Sequence, residues 1–575
     1  MNESLKGRPL RRFIRLLAPD KKAITFIYTY AIINGVINLS LPLGIQAILS
    51  LTLANELSSA WGVLIVVVTA GTALAGAIQI MQLSLVERLQ QEVFARASFE
   101  FAFRLPRLRM EALSKYYPPE LVNRFFDILN VQKGLPKILI DFTTAILQIF
   151  FGVILLAFYH PFFVAFGVAL IIILALIIRI TGPKGLKTSL QESDYKYRVA
   201  YWLEEIARAL STFKLAGPTR ITLKKADGLV RSYLEARKQH FRVLVVQYSS
   251  VVGFKTLITA ALLGLGSILL IEREINLGQF VASEIVIILV INSVEKLVTS
   301  AETIYDVLTA MEKLGKITDL PLERHKGVDC RTLPVRPNMA ISMRNLGFSF
   351  PGDPHPTFSD ISLEIKSGEK VCFSGMNGSG REVLLSVIAG LYEQYDGLLA
   401  FDDIPYRSYD PIFLRGYVGD CLSQKTLFRG TLEENLTVGK TYIQRDQVQE
   451  ALKQVDLLEW SQDLQMGLNT ELTPEDQRFP PEIVRRLILA RCLLKEPRLL
   501  MIEGFHRMGD KGTRQKIAEY VTAQPWTLIA LSNDPNLASL CDRVVVLNGG
   551  QIQVQGTFED ISNMPFASQL FDSPC

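Results

Sequence analysis

The chain has 575 residues, enough for several domains, and 49% of them are hydrophobic. A formal net charge of +4 over that length gives no case for a nucleic-acid partner, and the five scattered histidines offer no metal-ligand spacing. The six cysteines avoid the apolar first half and never form C-x-x-C, a pattern that fits reduced cytosolic thiols rather than disulfides or a zinc site.

In chain order, Met1–Lys22 is basic and polar, and the apolar run after it is too long for the core of a signal peptide. Stretches long enough to cross a bilayer follow at Ile24–Leu51, Trp61–Leu83, Ile138–Phe158, Phe162–Ile180, Val243–Ile271 and Phe280–Leu297. Any one of them alone reads equally as a buried core helix. Six before residue 300 predict an α-helical six-span transmembrane domain. Arg8, Arg11, Arg12, Arg15, Lys21 and Lys22 precede the first span, and Arg88, Arg96, Arg104, Arg107 and Arg109 follow the second. The short connectors Thr52–Ala60 and Tyr159–Pro161 carry no Lys or Arg, and Glu272–Gly278 carries only Arg273. This asymmetry predicts a multi-pass protein of the inner membrane, in contact with membrane lipid, with both termini cytoplasmic. The long segments Val86–Lys137 and Thr181–Arg242 are charged and read as helical, so the membrane helices are expected to run on into the cytosol. Asn34, Asn38, Gln46, Gln79, Gln82, Gln148 and Asn292 lie inside spans, where they either hydrogen-bond between helices or line a path; Lys255 and Glu284 are the sharper path candidates.

Beyond Leu297 the chain turns polar and Met311–Arg336 reads as a linker. The expected division is 1–310 membrane domain, 311–340 linker and 341–575 second domain. In the last, a strand-like run to Ser374 meets Gly375-Met376-Asn377-Gly378-Ser379-Gly380-Arg381-Glu382, and a helical run follows. Strand, Gly-rich turn and helix make a phosphate-binding loop. The glycines of G-x-x-x-x-G-K-[ST] are present, but Arg381 stands for the lysine and Glu382 for the hydroxyl that holds Mg²⁺. A Gly-rich turn that binds nothing is the alternative.

From Ile341 the order of motifs resembles an ATP-binding cassette, and nearly the whole chain resembles a half-transporter of the type I ABC exporter family. The implied fold is the six-span membrane domain plus an α/β P-loop ABC cassette. Tyr116–Asp127 is similar to the family's first intracellular coupling segment and Glu204–Gly217 to the stretch leading into the second. Both are most similar to the branch that exports peptides, bacteriocins and protein toxins. The resemblance puts Phe350 on adenine, Ser423 at the Q-loop glutamine (with Gln424 beside it), and Phe479-Pro480-Pro481-Glu482-Ile483 at the L-S-G-G-Q signature. It makes Glu503 the Walker B carboxylate, Gly504 the residue where a glutamate activates water, Asn533 the switch histidine and Asp510 part of the interface loop. Proline has no N–H, and Glu482 sets negative charge where a helix N-terminus should meet an anion.

The implied cofactor is ATP, held through Phe350, Gly375, Asn377, Gly378, Ser379, Gly380, Arg381, Glu382 and Glu503, weakly and with little dependence on Mg²⁺, or not at all; no metal site is expected. Gly504, Asn533 and Ser423 leave no catalytic position intact. Loss of one transition-state charge contact costs about 10²–10³ in rate, and loss of a general base about 10²–10⁴. Such losses do not add, but together they predict absent or very weak ATPase in this chain alone. In the family each nucleotide lies between one subunit's phosphate loop and the other's signature, so a homodimer has two altered sites and a heterodimer with an intact partner none that is fully consensus. Three functions follow. The first is a transport subunit for peptide, protein or hydrophobic substrates whose cassette is a pseudo-ATPase. The second is a membrane scaffold or regulator, favoured if a periplasmic adaptor but no ATPase partner co-purifies. The third is a divergent active exporter.

Overall fold

The structure is a computed structural model that describes residues 8–53, 59–114, 116–334, 336–422, 427–473 and 479–571. They form two units: the chain up to Pro106 with Tyr117–Leu320, and Arg107–Tyr116 with the chain from Pro321.

The described residues of the first unit form helices joined by short turns, with no strand among them. Six stretches are long and apolar enough to cross a membrane, the solution lipid imposes when each backbone polar group must be paired within its own segment. Helices Ser59–Arg104, Phe162–Arg208 and Ile221–Ile271 have 46, 47 and 51 residues. At a rise of about 1.5 Å per residue each is roughly 70 Å long, over twice a hydrocarbon core of about 30 Å. The expected extensions beyond the membrane are therefore continuous with the spans. The first span is broken into Lys21–Ile37 and Ser40–Leu53, with Pro42 in the first turn of the second piece, where a missing N–H is harmless.

Helix Leu277–Thr318 is the axis of this unit: 50% of its most apolar window is buried, against 11–28% for the others. It starts at a capping box between Asn276 and Gln279. It also ends later than the polarity of the sequence suggests, since Met311–Thr318, read as the start of a linker, is still helix. Met311, Leu314 and Ile317 recur at helical spacing and are buried, which holds those turns.

Of the polar span residues named from the sequence, Gln82, Gln46 and Gln148 make bonds between helices. Gln82 Nε2 donates to the Ile27 carbonyl at 3.0 Å, Tyr159 OH to Gln46 Oε1 at 2.7 Å, and Ser293 Oγ to Gln148 Oε1 at 2.8 Å. Gln79 and Asn292 are exposed and Glu284 is half-buried. Lys255 pairs with Glu295 at 3.5 Å, a partner the sequence reading passed over.

The second unit has two main sheets. The strands are β1 (Ile341–Phe348), β2 (Phe358–Ile365), β3 (Lys370–Gly375), β4 (Asp396–Phe401), β5 (Ile404–Pro405), β6 (Val418–Cys421), β7 (Gly430–Thr431), β8 (Glu471–Leu472), β9 (Leu499–Glu503), β10 (Thr527–Leu531), β11 (Arg543–Asn548) and β12 (Gln551–Gly556). One sheet runs β2-β1-β4-β5, all antiparallel; the other runs β12-β11-β3-β10-β9-β6, parallel except at β12. β3, β9 and β10 are buried at every position, as strands covered on both faces must be.

Arg107–Tyr116 belongs to this unit although it lies some 200 residues ahead of it. Arg109 N–H donates to the Pro321 carbonyl at 3.2 Å and Glu323 N–H to that of Arg107 at 2.7 Å. Glu111, on the single turn Met110–Leu113, is buried, and its Oε1 accepts from the N–H groups of Glu393 (2.5 Å) and Gln394 (2.9 Å). The sequence reading set the first coupling segment at Tyr116–Asp127, whose helix Pro118–Asn123 lies in the other unit. The residues grouped with the cassette are Arg107–Tyr116, which share only Tyr116 with that segment. They dock through backbone pairing at Arg107 and Arg109 and through the side chains of Arg109 and Glu111, whose partners lie more than 200 residues away and so leave no local mark in the sequence.

Candidate functional site: a phosphate loop at the carboxyl edge of the sheet

β10 lies between β3 and β9, with Leu531 level with both Phe373 and Glu503. The loop after β3, the pair Glu503–Gly504 and the pair Ser532–Asn533 therefore meet at the carboxyl ends of three adjacent parallel strands, the edge where α/β sheets take ligands.

The loop keeps the shape its glycines require. Gly378 and Gly380 have φ of 81° and 83°, and a Cβ on Gly380 would sit 2.6 Å from the Thr357 carbonyl oxygen, so only glycine fits there. Gly380 is the N-cap of helix Arg381–Ile388. The backbone N–H groups of Gly378, Gly380 and Glu382 have no acceptor among the described residues. Ser379 is buried and its Oγ has no partner among the described residues, and Asn377 is exposed at the loop tip. The anion cradle survives the changes around it.

Arg381 and Asn533 are bonded to each other. Arg381 Nη1 donates to Asn533 Oδ1 at 2.9 Å. The same oxygen accepts from Gly375 N–H at 3.3 Å, and Asn533 Nδ2 donates to the Gly375 carbonyl at 3.2 Å. Asn533 thus ties the end of β10 to the phosphate loop and holds Arg381. Glu382 is exposed in the first helical turn, and its carboxylate has no hydrogen bond or ion pair among the described residues.

Glu503 ends β9 and is buried. Gly504 has φ 68° and ψ 33° and caps the single turn Phe505–Arg507. A Cβ built on it would overlap the guanidinium of Arg485, which comes from helix Pro481–Leu493 of the same chain. Arginine therefore fills the direction a side chain at 504 would take. Nothing in the sequence singled out Arg485, because its approach depends on how that helix packs on β9. Beside it, His506 is held below the usual imidazole range by burial and by Arg507, Arg485 and Arg514. Its Nε2 accepts from Arg507 Nε at 3.1 Å, as a neutral ring does.

At the signature position, Pro480 is the N-cap and Pro481 the first residue of the helix. The N–H groups of Ile483 and Val484 both turn back to the Pro480 carbonyl, at 3.0 and 3.3 Å. Among the first four residues of this helix, Glu482 has the N–H with no acceptor among the described residues. Asp510 caps helix Lys511–Ala523 by accepting from Thr513 N–H at 2.7 Å, and its bonds to Thr513 hold its carboxyl below the usual range. Phe350 is half-buried, edge-on to Phe348 at 5.1 Å and to Tyr392 at 5.8 Å, a supported face for a base. Ser423 and Gln424 lie outside the described residues.

Two family models match: residues 24–294 match the ABC transporter transmembrane region and residues 358–503 the ABC transporter cassette. The lactococcin-A transport/processing ATP-binding protein LcnC of Lactococcus lactis is 22% identical over 572 residues, covering 98% of this chain and 79% of that protein. The transport/processing ATP-binding protein ComA of Streptococcus pneumoniae is 23% identical over 565 residues, covering 96% and 77%. A solved bacterial Atm1-family ABC exporter with ATP bound has the same fold, with a TM-score of 0.82 at 16% identity over 94% of this chain and 96% of that one. Membrane region and cassette follow one another in a single multi-pass chain, which makes the protein an ABC exporter half-transporter.

Proposed function

We propose that the protein is one subunit of a dimeric exporter of peptide or protein substrates, and that its own cassette holds ATP weakly without hydrolysing it. The observation that carries this reading is Gly504. The position for a water-activating carboxylate has no side chain, its backbone is left-handed, and Arg485 occupies the space beside it. If the partner is a different half-transporter, it supplies the hydrolysis that drives transport; if it is a second copy, nucleotide binds without being hydrolysed. The substrate class is supported by LcnC and ComA and by the toxin RTX-I translocation ATP-binding protein of Actinobacillus pleuropneumoniae, 23% identical over 362 residues.

ATP fits the residues present in part. The free N–H groups of the loop, the unpartnered Ser379 Oγ and the face of Phe350 suit phosphate and base. Glu382 opposes it. A carboxylate in the first turn of a helix is favoured by the helix dipole, so it competes with phosphate for the same N-terminus. Binding to the unmodified protein is expected to be weak and insensitive to Mg²⁺. Glu382→Thr is expected to tighten it and make it Mg²⁺-dependent. Calorimetry with and without Mg²⁺ decides; tighter Mg²⁺-ATP binding by the unmodified protein would show instead that Glu382 ligates the metal, as carboxylates do elsewhere.

The same reading places the chain in the inner membrane with both termini in the cytoplasm, on the Lys/Arg asymmetry of its connectors. A reporter fused after Cys575 is expected to be active only if it works in the cytoplasm; activity of a reporter that works only outside it overturns the orientation.

A further inference from the structure

The membrane unit has a partly open cavity of about 550 Å³ at the end of the spans, bordered by Ile177, Lys187, Gln247, Leu297, Tyr305 and Glu312 among others. That volume is typical of small-molecule sites. The apolar run of the fourth span ends at Ile180, and Lys184 and Lys187 follow on the same helix. The cavity therefore reaches from apolar to charged surroundings, as an amphiphile requires.

Its polar centre is Gln247, only 3% exposed. Gln247 Nε2 donates to Thr181 Oγ1 and to Tyr305 OH, both at 2.8 Å. Thr181 gives its own hydroxyl proton to the Ile177 carbonyl at 2.6 Å. Its oxygen therefore needs a donor, which fixes which end of the amide faces it. Gln247 Oε1 is buried with no partner among the described residues, an arrangement that costs free energy unless a ligand completes it. Tyr305 accepts from Gln247, and its own O–H proton has no acceptor among the described residues. One unfilled acceptor and one unfilled donor lie side by side. At the charged end Glu312 is already paired with Arg12 at 2.6 Å, whereas Lys187 has no ion partner among the described residues. The uncompensated charge at that end is positive.

We propose that this cavity binds an N-acylated amino acid or peptide. The acyl chain lies against the apolar wall, the amide N–H donates to Gln247 Oε1, the amide carbonyl accepts from Tyr305 O–H, and a carboxylate faces Lys187. A diacyl phospholipid fits less well: its ester linkages carry no N–H and leave Gln247 Oε1 unmet.

The test uses full-length protein in zwitterionic nanodiscs without nucleotide and compares N-dodecanoylglycine with its ester analogue O-dodecanoylglycolic acid, which lacks only the N–H. The amide is expected to bind one per chain and about tenfold tighter than the ester, the usual margin for a buried acceptor left unpaired. Gln247→Leu should erase that preference, and Tyr305→Phe and Lys187→Glu should each weaken both ligands. Gln247 also borders a second cavity of about 330 Å³, but Tyr305 and Lys187 border only the larger one, so their variants place the ligand there. Equal binding of amide and ester to the unmodified protein overturns the proposal without any variant needing to fold. So does a preference that persists in Gln247→Leu, or displacement of the amide by equimolar phosphatidylglycerol.

Discussion

Purified Gly504→Glu protein is expected to release phosphate from ATP no faster than the Arg381→Ala protein, although it restores the residue type that activates water. Three features of the site stand against rescue. A non-glycine residue in the left-handed region costs roughly 1–2 kcal/mol, and Gly504 has φ 68°. A new side chain meets the Arg485 guanidinium at its first carbon, so a glutamate there pairs with arginine instead of orienting water. The rest of the machinery is also changed: Asn533 is bonded to Gly375 and Arg381, and Pro480 and Pro481 offer no N–H. Restoring a general base in a working site is worth about 10²–10⁴ in rate, and here that gain is expected to vanish. Adding Arg485→Gln clears the space but leaves the switch and the signature as they are, so the double variant should remain inactive as well. An ATPase rate in the unmodified protein that Arg381→Ala abolishes would sink this account and point to a divergent active enzyme.

Glu111→Ala is expected to free Arg107–Tyr116 from the cassette. The Glu111 carboxylate accepts two backbone N–H bonds in a buried setting. Bonds to a charged group contribute about 1.5–3 kcal/mol each, and truncation also leaves the amides of Glu393 and Gln394 unpaired. A local loss of about 3 kcal/mol corresponds to roughly a hundredfold faster hydrogen exchange at those two amides. Glu111→Gln keeps an acceptor oxygen and should fall between. Unchanged protection of Glu393 and Gln394 in Glu111→Ala would mean that the backbone pairing at Arg109–Pro321 and Arg107–Glu323 holds the segment alone.

The fold was legible wherever one segment carries its own signal. Apolar runs marked the six spans, and the runs ending at Ser374, Glu503 and Leu531 set a frame in which each altered motif position could be counted off. Legibility failed for contacts between distant residues. Arg381 and Asn533 are 152 positions apart and Glu111 and Glu393 are 282 apart. Neither pair has a local pattern, so the sequence did not reveal these contacts. Gln247 and Glu295 sit on faces chosen by helix packing and were passed over for the same reason. The helix end at Thr318 was misplaced because polarity rises before the buried face of the helix stops.

One consequence concerns the order in which the chain is made. Synthesis runs from the N-terminus, so Arg107–Tyr116 is finished while four of the six membrane crossings and the whole remainder of the cassette are still to come. Glu111 must stay hydrated, and the segment unattached, until the amides of Glu393 and Gln394 exist. The cassette is thus sewn shut by a stitch laid down long before the cloth. A C-terminal fragment beginning at Pro321 would lack that stitch, and its surface around Glu393 would not be the surface of the intact protein.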